Sequence, residues 1–230
     1  MPHQNRILSS LPLGTQEALK PHLKTVELKH GTVLFEPSST VDHVYFPHSG
    51  VISLVVELEE GDMLETAMVG RDGVLGVTSA LDGKFSLNKA IVQAAGGAFI
   101  ASADSVGELA LKDQAFRSRL IRHEQVLFAS AQQSAACNAS HLVEARLCRW
   151  LLRMRDLAGD DLHLTQEFLG QMIGVRRSIV SLVAGTLQAA GLIKYNRGHI
   201  RILDVAGLKE ASCECYEATK AYYDKMLNGS

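Results

Sequence analysis

Gln166-Glu-Phe-Leu-Gly170-Gln-Met-Ile-Gly174-Val-Arg176-Arg-Ser-Ile-Val-Ser-Leu-Val183 is the stretch whose reading decides the fold of the carboxy-terminal part. Two apolar-periodic segments flank Gly174, which tolerates the left-handed conformation of a tight turn, and Gly170 is small where the two helices cross closely. Leu169, Ile173, Val175, Val180 and Val183 fill the shared core slots. This is the grammar of a helix-turn-helix. Thr165 suits the amino-terminal cap of the first helix, and Glu167 in its first turn suits the helix dipole. The second helix is expected to turn Ile179, Val180, Val183 and Leu187 inward. Arg176, Arg177, Ser178 and Ser181 then remain on its exposed amino-terminal face, and Thr165 and Gln166 open the first helix. An arginine in such a place can donate two hydrogen bonds to guanine O6 and N7, and a serine can reach phosphate or a base edge.

Downstream, Ala189-Ala-Gly191-Leu-Ile-Lys-Tyr-Asn196-Arg-Gly198-His-Ile-Arg-Ile-Leu203 reads as a helix stop, a strand, an Asn-Arg-Gly turn and a second strand. That is a winged hairpin. Lys194, Arg197, His199 and Arg201 place donors on or near it, where phosphate contacts fix register without reading sequence. Within 165–201, Arg176, Arg177, Lys194, Arg197 and Arg201 are opposed only by Glu167. A basic patch of this kind suits a polyanion, and double-stranded DNA is the expected partner.

Upstream the chain changes character. From Val26 to about Ser102, short β-like runs alternate with Gly, Pro, Ser and Asp, which predicts a small all-β roll or barrel. Gly50-Val-Ile-Ser-Leu-Val-Val-Glu-Leu58 is expected to put Ile52, Leu54, Val56 and Leu58 on one face and Ser53 and Glu57 on the other, with Glu59-Glu-Gly-Asp62 as the turn. Gly96-Gly97 between Ala90–Ala94 and Ala98–Ala101 predicts a hairpin.

After Asp104 the period becomes helical. Phe116, Leu120, Leu127 and Ala131 share one side of a helix over 113–138, roughly 39 Å long at 1.5 Å per residue. Such a helix outreaches a small β unit. The small-residue run Ala129-Ser-Ala-Gln-Gln-Ser-Ala-Ala136 would let two helix backbones approach along a symmetric dimer axis, so these four residues are the candidate homodimer face. Asn138-Ala-Ser-His141 reads as a hinge, followed by an amphipathic helix carrying Leu142, Leu147, Leu151, Met154 and Leu157 up to Ala158-Gly-Asp-Asp161. The expected domains are 1–140 and 141–230.

Composition is that of a globular protein, with 47% apolar and 21% charged residues in 230. No apolar run approaches a membrane span, and Met1-Pro-His-Gln-Asn-Arg6 does not open a signal core, so a cytoplasmic protein with no membrane partner is expected. The net charge of −2 hides an asymmetry: residues 1–140 carry 11 Lys and Arg against 15 Asp and Glu, and residues 141–230 carry 12 against 10. Four cysteines do not make a secreted disulfide framework. Cys213-Glu-Cys215 has no adjacent ligand pattern and the nine histidines show no His-x₃-His spacing. Neither a metal site nor a cofactor is expected.

Over nearly its whole length the chain resembles the Crp/Fnr family of bacterial transcription regulators. The strings that carry the likeness are Val44-Tyr-Phe-Pro-His-Ser-Gly50, Val69-Gly-Arg-Asp-Gly-Val-Leu-Gly76, Glu144-Ala-Arg-Leu-Cys-Arg-Trp-Leu-Leu152 and Gly174-Val-Arg-Arg-Ser-Ile-Val180. The resemblance implies an α+β fold: an amino-terminal cyclic-nucleotide-binding-like β-roll (a jelly roll), a long dimerisation helix and a carboxy-terminal winged helix-turn-helix. It also implies a recognition helix in the major groove of a roughly palindromic operator, with Arg177 on the family's guanine-reading position and RNA polymerase as a candidate partner. Cyclic-AMP-binding members of the family use a Gly-Glu-Leu-like turn and an Arg-Ser pair. Here the turn is Gly73-Val-Leu-Gly76, and Phe85-Ser-Leu-Asn-Lys-Ala90 offers Lys89 alone. The usual cyclic-AMP contacts are therefore missing, and Gly70, Arg71, Asp72, Gly73, Gly76 and Lys89 stand either as turn and framework residues or as a pocket for another small ligand. The iron-sulfur members keep an amino-terminal cysteine cluster, whereas this chain has no cysteine before Cys137.

No P-loop, Gly-x-Ser-x-Gly or His-Glu-x-x-His string occurs, so no catalytic residue is assigned. Two readings follow: a regulator that responds to a signal through its β-roll, or a constitutive one whose β-roll serves only dimerisation and partner contact.

Overall fold

The computed structural model describes residues 5–81 and 85–228. The first four residues of the stretch tested above for a signal core lie outside them. In chain order the elements are α1 (Arg6–Ser9), α2 (Leu13–Leu19), a 3-10 turn (Lys20–His22), β1 (Lys24–Leu28), β2 (Val33–Phe35), β3 (His43–Glu57), β4 (Met63–Val69), α3 (Val77–Ala80), β5 (Lys89–Ser102), α4 (Ala103–Lys112) and α5 (Gln114–Ser140). They continue as α6 (Val143–Ala158), β6 (Asp161–His163), α7 (Gln166–Ile173), α8 (Arg177–Ala189), β7 (Ile193–Asn196), β8 (His199–Ile202), α9 (Val205–Ala211) and α10 (Cys215–Asn228). The elements form two compact units, one of residues 1–54, 68–129 and 221–230 and the other of 55–67 and 130–220. Compact packing does not follow a single cut in the chain, although α5 ends and α6 begins on either side of His141 and Leu142.

The larger sheet runs β1-β5-β3-β4, with β2 also on β5. β5 continues unbroken through Gly96 and Gly97, which pair with Leu28 and Glu27 of β1, so the expected hairpin is absent. The glycines serve close approach. A Cβ on Gly96 would lie 2.4 Å from the Gly50 amide nitrogen, and one on Gly97 would lie 2.5 Å from the His48 ring. β3 also departs from simple alternation, because every residue from Val51 to Val55 is buried while Val56 and Leu58 are exposed. Ser53 is buried with them and donates to Gln93 Oε1. The turn after β3 falls where expected, with the Leu58 N–H donating to the Asp62 carbonyl at 2.8 Å and Gly61 at φ 85°.

The core of the first unit joins Ile7, Val44, Phe46, Val74, Val106, Phe116, Leu120 and Tyr223 among others, so the start of α5 and the end of α10 are fixed against the sheet. Ser102 caps α4 by accepting the Ser105 N–H at 3.1 Å, and the Asp113 carboxylate does the same for Phe116 at 3.0 Å at the start of α5. Phe116, Leu120 and Leu127 are buried within their own chain and Ala131 is half-buried. The stripe of α5 left exposed carries Ile121 and Phe128, 40% and 66% accessible.

In the second unit α6 buries Leu147, Trp150, Leu151, Met154 and Leu157, and the Trp150 indole N–H donates to a buried Glu65 carboxylate oxygen at 2.9 Å. A three-stranded antiparallel sheet, β6-β8-β7, stands beside the helices. β6 pairs Leu162 with Ile200, in a segment read above only as the end of a helix. Among the described residues no helix is long and apolar enough to cross a membrane.

Candidate nucleic-acid interface

The two helices of the decisive stretch form as their glycines require. Gly174 ends α7 at φ 65° and ψ 45°, in the left-handed region that side chains avoid. A Cβ on Gly170 would stand 2.6 Å from the Val175 carbonyl oxygen, and the Val175 N–H donates back to the Gly170 carbonyl at 2.8 Å. Leu169, Met172, Ile173, Val180, Ala184 and Leu187 close the interior between α7 and α8. Val175 and Val183 are half-buried, and Ile179 is exposed rather than turned inward.

Thr165 caps α7 by accepting the Phe168 N–H at 3.1 Å. Arg176 precedes α8 and Arg177 begins it. Both are exposed, as is Ser178, and no ion pair holds either arginine among the described residues. Ser181 differs. Its hydroxyl lies 2.5 Å from Gln166 Oε1 and 3.1 Å from the Arg177 carbonyl, so these two candidates brace α7 against α8. Leu182 was missed by the sequence reading. It is 72% exposed, and helical spacing places it one turn after Ser178.

The wing turns through Arg197 at φ 46° and Gly198 at φ 81°, the positive pair that a two-residue hairpin of the twisted kind needs. Its tip lies beside the start of α7: the Leu164 N–H donates to the Gly198 carbonyl at 2.8 Å. Lys194 and Arg197 are exposed and lack ion pairs among the described residues. Asp161, from the unforeseen β6, lies 3.6 Å from both Arg201 and His199, so part of the basicity counted over 165–201 is offset locally. The arrangement that remains is one surface: the amino-terminal turn of α8, the cap of α7 and the tip of the wing.

The Crp-like helix-turn-helix domain profile matches residues 145–211. The chain is similar in structure to a CRP/FNR family transcriptional regulator from Thermus thermophilus, at 25% identity and a TM-score of 0.65, covering 84% of this chain and 98% of that one. The carboxy-terminal part carries a Crp-like helix-turn-helix domain, and the chain shares the fold of Crp/Fnr-family transcription regulators. FixK2 from Bradyrhizobium japonicum shares the fold at 14% identity with a TM-score of 0.71, covering 83% of this chain and 98% of FixK2. The cyclic-di-GMP-responsive global regulator CLP of Xanthomonas campestris does so at 17% identity and 0.66, covering 84% and 100%. A search of curated proteins gave no sequence match.

The six candidate effector residues have these surroundings in the first unit. Gly76 sits at φ 90°, and a Cβ on it would meet the His43 carbonyl oxygen at 2.7 Å. A Cβ on Gly73 would stand 2.9 Å from His123 Nε2, and the Gly73 carbonyl accepts from Asn5 Nδ2 at 2.9 Å. The Gly73 N–H donates to the Gly70 carbonyl at 2.9 Å, the Arg71 carbonyl accepts the Arg6 N–H at 2.7 Å and Asp72 is buried. Lys89 Nζ lies 3.7 Å from the Glu36 carboxylate.

Proposed function

We propose that this regulator binds a roughly palindromic double-stranded operator as a homodimer in the cytoplasm. Arg177 reads a guanine in each half-site, and Leu182 offers an apolar contact to a thymine methyl. Arg176, Ser178, Lys194 and Arg197 set the register on phosphate. The observation that carries this reading is the unpaired, exposed Arg176-Arg177 at the first turn of α8, on one surface with the wing tip. The dimer would form along the Ile121 and Phe128 stripe of α5. Selection of bound duplexes from a random pool tests the reading. It should enrich an inverted repeat whose half-sites lie about one helical turn apart, roughly 34 Å. Enrichment of nothing, or of a lone half-site, would refute it.

A small molecule or other signal acts through the β-roll, but not cyclic AMP by its usual contacts. A second reading, constitutive binding with a β-roll that only dimerises and meets partners, draws support from the Gly70–Gly76 loop. Asn5 and His123 already occupy the space around Gly73. Titration of operator binding with and without candidate metabolites separates the two.

A further inference from the structure

In the sequence Cys213 and Cys215 stand as an isolated pair. The fold gives them company. Cys137 in the last turn of α5 and His141 just beyond that helix come together with Cys213 and Cys215 at the α9–α10 junction, and one ligand atom from each lies within 4.8 Å of every other. Cys137 Sγ is 3.5 Å from Cys213 Sγ, and His141 Nδ1 is 3.7 Å from Cys215 Sγ. Tetrahedral bonds of about 2.3 Å to sulfur and about 2.0 Å to nitrogen set the ligand atoms about 3.5–3.8 Å apart. We propose that Cys137, His141, Cys213 and Cys215 form a structural binding site for a single divalent zinc ion.

Outer contacts agree with that role. A metal-bound histidine hands its second ring N–H to a carboxylate or carbonyl, which fixes both tautomer and orientation. Here Nδ1 of His141 faces the thiols while Nε2 lies 3.2 Å from the Glu214 carboxylate, on the residue between the two cysteines. Gln133 Nε2 donates to Cys215 Sγ at 3.1 Å, a contact that suits a thiolate. Three thiolates and a neutral imidazole around a dication leave one net negative charge. Arg146 and Arg149 sit close by, each with an Nε atom buried and without a hydrogen-bond partner among the described residues, and they supply the complementary positive charge.

The donor set selects the ion. Three soft thiolates and one imidazole in a compact tetrahedron suit zinc, and four protein ligands leave no open position for catalysis. Such close ligand atoms fit one ion, whereas an iron-sulfur cluster holds its cysteines on different irons and so farther apart. The bound ion would close the two-residue link, His141 and Leu142, between α5 and α6 against the α9–α10 junction. Binding releases the thiol protons to solvent.

Metal analysis of untagged, reduced chain should find one zinc per chain. Cys213→Ser and Cys215→Ser should lose it, and Cys148→Ser should keep it, because Cys148 is buried in α6 outside the cluster. The wild-type chain stripped by chelator under reductant and titrated with Co²⁺ covers the case of variants that fail to fold. It should take up one ion, with the ligand-field bands of tetrahedral cobalt and a thiolate charge-transfer band. Three results would overturn the proposal: no zinc or cobalt uptake by the wild-type chain, iron with inorganic sulfide in its place, or a metal-free Cys137–Cys213 disulfide by mass spectrometry. Retention of zinc by Cys213→Ser and Cys215→Ser would overturn it equally.

Discussion

The Val74 N–H donates to Nε2 of His123 at 3.2 Å, tying the Gly70–Gly76 loop to α5 through a fully buried ring. Nε2 must hold a lone pair to accept that bond, so the ring proton resides on Nδ1. His123→Leu keeps an apolar volume but strands the buried amide, at a cost of about 1–3 kcal/mol. His123→Gln offers a replacement acceptor and should recover part of the loss. Urea unfolding of the two variants measures this; equal stability of His123→Leu and the wild type would show that the contact contributes nothing.

The burial pattern of α5 separates self-association from folding. Phe128→Asp places a charge on the exposed stripe and should convert a dimer to a folded monomer in sedimentation, with an unchanged circular dichroism spectrum. Leu120→Asp puts the charge into the core that holds Phe116 and Val106, and should unfold the first unit instead. A Phe128→Asp chain that still sediments as a dimer would exclude this face.

Acid should loosen the start of α5. The Asp113 carboxyl is held below its ordinary value of 3.8 first by the Thr15 hydroxyl and then by the Phe116 N–H. A lowered folded-state pKa contributes stability that is complete above the unfolded value and disappears as pH falls through the folded one. Thr15→Val should therefore raise the Asp113 midpoint in a carboxyl NMR titration. Its stability deficit should be present at pH 7 and should shrink as the pH falls through the lowered Asp113 midpoint. A deficit that grew in acid would reverse the sign of this account.

How much of this was legible in the sequence depended on how local the cause was. The helix-turn-helix and wing were readable because Gly170, Gly174 and Gly198 answer to backbone within a few dozen residues, and the apolar spacing of α7 and α8 is set by one shared core. Gly96-Gly97 misled because a local rule reads two glycines as a turn. Their real cause is the Ser49-Gly50 backbone against Gly96 and the His48 ring against Gly97, far away in sequence and close in space. On α5 both stripes are apolar, so periodicity alone could not say which one the chain covers with its own core. The cysteine cluster was invisible for a related reason, since Cys137 and Cys213 stand 76 residues apart. Only His141, four residues after Cys137, gave a local hint.

The division of labour between Arg177 and the wing provides the sharpest test of the DNA-binding reading. Arg177 begins α8, with its side chain exposed and no ion pair to hold it among the described residues. Losing one bidentate arginine–guanine contact costs about 1–3 kcal/mol, so Arg177→Ala in both subunits should weaken operator binding by about twice that and leave random duplex nearly unaffected. The wing residue needs a gentler substitution. Arg197 adopts φ 46°, where alanine would be strained and asparagine is tolerated, so Arg197→Asn removes the charge while keeping the turn. A phosphate contact carries no base information. Arg197→Asn should therefore weaken operator and scrambled DNA alike and flatten the salt dependence by about one unit per contact. Competition titrations at several salt concentrations compare the two variants directly. If Arg177→Ala kept its preference for the operator while Arg197→Asn lost it, the wing would be the reading element and α8 the positioning one.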